Sequence, residues 1–166
     1  MKEKVRPIKD LPDEVRAREI CARHRDKPEL LLEILHDVQD DLGAIPAHLV
    51  PVVADALNLS RAEVYGVISF YHDFRQKPAG RHVIKICRAE SCQAMGGTAL
   101  VPRAESTLGC RTGETTSDGR ITLQAVYCLG NCALSPAMMV DDRLYGRVDA
   151  GRFDEIVDSL RAEAAE

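Results

Sequence analysis

The chain has no tryptophan, and only three phenylalanines and four tyrosines among its 166 residues, so its core must be assembled from Leu, Val, Ile and Ala. It has no apolar run near the roughly 20 residues that a membrane-spanning helix needs, which predicts no direct membrane insertion. It has no excess of positive charge: 22 lysines and arginines face 26 aspartates and glutamates. The deficit is shared evenly by the two halves, so neither offers the basic face that nucleic acid requires. The first residues, MKEKVRPIKDLPDEVR, are charged and lack the apolar stretch of an export signal. A cytoplasmic protein is expected. There is no G-x-G-x-x-G, and GETTSDG (113–119) has no phosphate-loop lysine, so no nucleotide site is assigned to this chain. Disorder is excluded too, because 45% of the residues are hydrophobic and 29% charged. Such a chain buries a core as one domain or two small ones.

What the chain does have is six cysteines, unevenly placed. Structural disulfides are not expected where the cytosol keeps thiols reduced. Cys87 and Cys92 form C-x4-C in CRAESC, and Cys128 and Cys132 form C-x3-C in CLGNC, with 35 residues between the pairs. Cys21 and Cys110 stand apart and read as free thiols. Each pair lies where a predicted strand runs into a loop, so adjacent strands would present four sulfurs at one edge.

Four thiolates on two irons are the ligand set of a [2Fe–2S] cluster. Structural zinc usually shows C-x2-C knuckles, and a dithiol redox enzyme normally carries C-x-x-C. The spacing therefore favours the cluster and leaves a zinc-stabilised interaction module as the alternative. Burying the negative charge of such a site calls for N–H donors and close backbone approach. Cys92 at a predicted helix start, Gly96, Gly97 and Gly130 are candidates for both, and Arg88 and Lys85 for offsetting charge. His24, His36, His48, His72 and His82 have no mutual spacing suggestive of a metal site, and read as surface or packing residues.

Around these motifs the pattern changes near residue 78. Before it, helices are predicted over 13–24, from Pro28 through the stripe Leu31, Ile34, Leu35 and Val38 to Gly43, from Pro46 to Leu57, and from Arg61 toward Phe70. The last starts at a capping box, Ser60 with Glu63. The run SFYHDF (69–74) reads as buried between the two parts of the chain, or in part as an interface. After residue 78, HVIKIC (82–87) and ITLQAVYC (121–128) alternate as strands. A helix is expected over about 92–107, weakened by Gly96 and Gly97 and kinked or shortened at Pro102. AMMVDDRLYGRV (137–148) reads as a hairpin turning at Asp141 and Asp142. Of Met138 and Met139, one should pack beside the cysteines. Phe153, Ile156, Val157 and Leu160 predict a last helix. The expected architecture is a helical bundle over 1–78 and an α/β domain over 80–166.

Several blocks carry a resemblance: LLEILHDVQDDLGAIP (31–46), LNLSRAEVYGVISFYHDF (57–74), the two cysteine pairs, and GETTSDGRITLQAVYCLGNCALSPAMMV (113–140). Over residues 28–160 the chain resembles the thioredoxin-like [2Fe–2S] ferredoxin family, which includes the 24 kDa-type subunit of respiratory complex I. Within it, CRAESCQAMGG (87–97) is most like the gamma subunit of NAD-dependent, molybdenum-containing formate dehydrogenases. The resemblance implies a thioredoxin-like cluster domain behind a helical bundle, and one [2Fe–2S] cluster on Cys87, Cys92, Cys128 and Cys132. It implies an electron-transfer subunit that is not a catalyst alone. Its partners would be a beta-type flavoprotein subunit binding FMN and NAD, and an alpha-type molybdopterin subunit. Complex I and NAD-reducing hydrogenases are the alternative hosts. In this family the small subunit's cluster often lies beside the flavin, off the direct route.

Overall fold

The computed structural model describes residues 12–162. The chain divides into two compact units, with the boundary between Pro78 and Ala79. Among the described residues no helix is long and apolar enough to cross a membrane. The charged N-terminal stretch lies mostly outside the described residues.

The first unit holds four helices: α1 (Asp13–Arg23), α2 (Leu31–Leu42), α3 (Leu49–Leu57) and α4 (Arg61–Phe70). Proline placement explains two starts that differ from expectation. Pro28 opens a short 3-10 turn, Pro28–Leu30, ahead of α2. The segment after Pro46 begins as a turn, and α3 starts only at Leu49. Pro51 then falls in the first turn of α3, where its missing N–H has no partner to lose. Ile34, Leu35 and Val38 of α2 pack with Ile20, Leu49, Val53 and Val64 in one core. Gln39 is a buried polar member of α2, and both ends of its amide are used. It donates to the Asp73 carbonyl at 2.9 Å and accepts from the Arg75 N–H at 2.7 Å, tying the segment after α4 to α2. The capping box forms as read: the Glu63 N–H donates to Ser60 Oγ, and the Ser60 N–H donates to the Glu63 carboxylate. In SFYHDF only Phe74 is buried, within this unit's own core. Phe70 is 73% exposed and Tyr71 is also exposed.

The second unit is an α/β layer. A four-stranded sheet has the order β2-β1-β3-β4, built from β1 (His82–Cys87), β2 (Ile121–Val126), β3 (Met138–Val140) and β4 (Arg143–Tyr145). β1 and β2 are parallel, and β3 is antiparallel to both β1 and β4. Register explains the core. Ile84 lies between Leu123 and Val140, and Ile86 sits beside Met138, so one face of the pleat is continuously apolar. That face packs with Leu100, Ala104 and Leu108 of α6 (Thr98–Leu108), and with Phe153, Val157 and Leu160 of α7 (Ala150–Ala162).

The single helix expected over 92–107 is instead three pieces. α5 (Glu90–Cys92) is one turn, Gln93–Gly97 is a π-type turn, and α6 follows. The break comes from Met95 and Gly96, whose backbone is non-helical, with Gly96 at φ 92°. Pro102 does not stop α6. It lies just past the first turn, and so forfeits one hydrogen bond near an end that already lacks several. The strand expected to reach Cys128 ends at Val126, which leaves Cys128 in the loop.

Candidate metal centre

Strand direction brings the cysteine loops together. Parallel strands send their carboxyl ends to the same edge of a sheet, and in β1 and β2 Cys87 pairs with Val126 at that edge. β3 runs the opposite way, with Met138 beside Ile86, so the chain through Cys132 and Ala137 enters from this edge too. The Cys87 N–H donates to the Ala137 carbonyl at 3.1 Å, and the Arg88 N–H donates to the Val126 carbonyl at 2.7 Å. Three segments are laced there by main chain.

The first pair is enclosed. Cys87 and Cys92 are each 2% exposed, with their thiols in hydrogen-bonding contact. The second pair lies open: Cys128 and Cys132 are exposed, their sulfurs 3.8 Å apart. Contacts cross between the loops. The Leu129 N–H, in the second, reaches the Cys87 sulfur. The Ser91 Oγ, in the first, lies 3.1 Å from the Cys132 carbonyl oxygen. Ser135 Oγ lies 3.6 Å from Cys92 Sγ.

Each segment also turns N–H groups onto sulfur. Ala89 and Leu129 serve Cys87, and Ala137 serves Cys92. The Gly130 N–H donates to Cys128 Sγ at 3.3 Å. Gly130 makes that turn at φ 74°, in the left-handed region that a glycine occupies without steric cost. Gly97 acts through space instead. A Cβ there would lie 2.6 Å from the Cys92 carbonyl oxygen, so only a glycine lets the π turn fold back over Cys92. Gly96 has no neighbour within 4 Å of its Cβ direction; its positive φ, not close approach, is what needs the glycine. The cysteines' apolar company is Ala137, with Ala89, Val126 and Leu129 at its margin. Neither methionine takes that place: Met138 is fully buried in the sheet core instead, because the pleat aims it with Ile86 at the helices.

Proton affinities follow the enclosure. Burial pushes the Cys87 thiol up, outweighing the N–H groups of Ala89 and Leu129. Burial acts on Cys92 as well, but the Ser135 hydroxyl, the Ala137 N–H and the Cys87 thiol together bring it below the ordinary cysteine value. The Cys128 thiol beside it pushes Cys132 up. Among the described residues, no three His, Cys, Asp or Glu side chains gather tightly enough to hold a single metal ion. His24 and His82 instead face Asp37 at 2.8 Å and Asp141 at 2.9 Å.

Cys21 and Cys110 lie in the cores of their own units. Burial, with Asp26 adding to it, pushes Cys21 up to about 11, and burial followed by Glu114 and Glu105 raises Cys110. After iron removal with a chelator, iodoacetamide at pH 8 is therefore expected to label Cys128 and Cys132 first. Cys21 should carry roughly a hundredfold less thiolate than an ordinary thiol. Its labelling should rise about tenfold per pH unit toward 11, because only the thiolate reacts. Peptide mass spectrometry reads the order directly, and early labelling of Cys21 would contradict the packing of α1.

The fold and the edge define a class: a thioredoxin-like α/β domain that collects two cysteine pairs at the carboxyl ends of parallel strands. The family model described as thioredoxin-like [2Fe-2S] ferredoxin matches residues 17–161, and the chain belongs to that family. The match reaches back into α1, beyond the 28–160 of the sequence resemblance. The chain is 39% identical over 142 residues to an E-type subunit of the NADH-quinone oxidoreductase of Rhizobium meliloti (strain 1021), covering 86% of this chain and 84% of that one. It is 35% identical over 127 residues to the HndA subunit of the NADP-reducing hydrogenase of Solidesulfovibrio fructosivorans, covering 76% and 74%. It is also similar to a crystal structure of an NAD+-reducing [NiFe]-hydrogenase in the air-oxidized state, with a TM-score of 0.68 and 26% identity. That likeness covers 81% of this chain but only 23% of the hydrogenase chain. The chain carries one [2Fe–2S] cluster and is an electron-transfer subunit.

The site fits that group. A dinuclear centre takes two thiolates per iron, and the edge offers sulfurs in two pairs, each sulfur with a backbone N–H contact. A lone zinc ion at about 2.3 Å from four sulfurs would draw all of them within about 3.8 Å of one another. Here the sulfurs gather two by two.

Proposed function

We propose that Cys87, Cys92, Cys128 and Cys132 ligate the cluster, and that the chain serves as the electron-transfer subunit of a cytoplasmic NAD-dependent formate dehydrogenase. The observation that supports the ligand set is the meeting of an enclosed and an exposed cysteine pair at one sheet edge. When bound, the cluster supplies one-electron exchange. The chain's own residues divide the remaining work. Cys87 and Cys92 anchor the inner side, where Ala137, Val126 and Leu129 exclude water. N–H groups from Ala89, Leu129, Ala137 and Gly130 offset thiolate charge. Cys128 and Cys132 stay open, and the preceding Tyr127 is 70% exposed. That edge is the natural approach for a redox partner.

The partner we infer is a beta-type flavoprotein subunit that binds FMN and NAD, because hydride carries two electrons and a flavin can part them into singles. An alpha-type molybdopterin subunit would oxidise formate. The helical part (1–78) would form a docking domain through exposed Tyr65, Phe70 and Tyr71, and residues 80–166 would form a separate cluster domain. The block CRAESCQAMGG supports the formate dehydrogenase host. The alternative hosts are NADH:quinone oxidoreductase and an NAD-reducing hydrogenase, favoured by the identities of the relatives above.

Purification of the tagged chain from its native cell without oxygen tests both levels. A brown protein with about two irons and two sulfides per chain is expected, together with a flavoprotein and a molybdopterin subunit, and formate-dependent NAD+ reduction. A membrane arm or a nickel subunit in the preparation would move the chain to an alternative host. A colourless protein with one zinc would overturn the ligand proposal.

A further inference from the structure

Ser91 and Ser135 form a polar link inside an otherwise apolar pocket, and the cysteine pairs do not need it to converge. Ser135 is 8% exposed, unusual for a hydroxyl unless it is used. Its Oγ lies 2.8 Å from Ser91 Oγ, 2.8 Å from the Cys132 carbonyl oxygen and 3.6 Å from Cys92 Sγ. One hydroxyl has one proton to give among these three neighbours.

Ligation of a metal decides which neighbour receives it. A ligating cysteine is a thiolate with no proton of its own, so in the loaded site the proton in the Cys92–Ser135 contact must come from the serine. Ser91 donates to Ser135 Oγ and fills an acceptor position there. The proton of Ser135 is then left to a neutral carbonyl or to an anionic sulfur. Hydrogen bonds to ionised acceptors are roughly twice as strong, and the surroundings of Cys92 are buried and apolar, so the sulfur wins. We propose that Ser135 donates a hydrogen bond to the Cys92 thiolate and thereby raises the reduction potential of the cluster, with Ser91 as the positioning residue that orients it. The inference rests on Cys92 being a ligand.

The sign follows from charge. Four thiolates on the oxidised core carry about −2, and one electron makes that about −3 with no bond broken and no proton required. A donor aimed at a ligand sulfur stabilises the more negative state more, and so favours reduction.

The experiment is an EPR-monitored redox titration of the full-length, cluster-loaded chain, with iron and sulfide counted in every variant. Ser135→Ala is expected to lower the equilibrium constant for reduction about tenfold, a fall of about 59 mV for one electron. Ser135→Thr keeps the hydroxyl and should titrate like the wild type. Ser91→Ala should shift the potential the same way but less, because Ser135 then keeps its proton but loses the 2.8 Å contact that orients its hydroxyl toward the sulfur. An unchanged potential in fully loaded Ser135→Ala overturns the proposal, as does a Thr variant that falls as far as the Ala one. If Ser135→Ala does not retain iron, Ser91→Ala decides, and an unmoved potential there sinks the idea. Failure of the ligand assignment looks different: Cys92→Ser would keep the wild-type spectrum.

Discussion

Cys92→Ser is expected to leave the chain without its cluster, while the fold of both units survives. The inner pair is where a serine is least able to substitute. Its hydroxyl would have to ionise in a pocket with 2% exposure at Cys92, and desolvation opposes a buried anion strongly. If Cys92 is a ligand, as proposed, its loss leaves Cys87 as the sole sulfur of the enclosed pair. Iron and sulfide should therefore fall from about two each per chain toward zero. The visible absorption and the reduced-state EPR signal should vanish with them. Cys128→Ser should behave less severely, because the outer pair is exposed and water can solvate an oxygen ligand. An altered EPR spectrum at partial occupancy is expected there. Cys110→Ser should keep the full cluster, since Cys110 packs in the sheet core among Leu108 and Ile121. A wild-type EPR spectrum in Cys128→Ser would rule out the ligand set.

Gly97→Ala is expected to be damaging although it adds only a single methyl group. The new Cβ would sit 2.6 Å from the Cys92 carbonyl oxygen and 3.0 Å from its carbonyl carbon. Both are main-chain atoms of Cys92, a proposed ligand, so no side chain can swing aside. The π turn must open or Cys92 must move. Overpacking of this kind costs about 1–3 kcal/mol, and the displaced sulfur should lower iron occupancy as well. Gly66→Ala is the contrasting change. Gly66 lies within α4 with nothing within 4 Å of its Cβ direction, so the added methyl removes only backbone freedom from the unfolded chain. That should stabilise the helical unit by about 0.5–1 kcal/mol. Thermal unfolding with iron analysis separates the two. Equal iron content in Gly97→Ala and wild type would show that the turn is not what seats Cys92.

Much of this protein was legible from local pattern alone. The capping box at Ser60 and Glu63, the stripe Ile34, Leu35 and Val38, and the alternation of HVIKIC are short-range signals. They dictate a helix start, a buried helix face and a strand wherever they occur. The cysteine pairs were equally plain, because the spacing of thiols is written along the chain. The π turn after Cys92 was not. Gly96 and Gly97 read as a weakened helix, and only the folded chain shows that one supplies a positive φ and the other a close backbone contact. The methionines were misplaced for a related reason. Alternation says that Met138 and Met139 face opposite ways, but not which layer lies on either side.

By itself, then, the sequence determined the element types, the four thiols of the pairs, and the kind of inorganic core that four such thiols suit. Tertiary structure alone decided that one pair is enclosed and the other open, that Leu129 serves a sulfur 42 residues earlier in the chain, and that Ser135 meets Cys92. The reason is physical. Helix and strand signals arise between residues a few positions apart, whereas enclosure and cross-loop hydrogen bonds depend on which strand ends share an edge. That is set by the parallel register of β1 with β2 and the reversed entry of β3, pairings made between segments far apart along the chain.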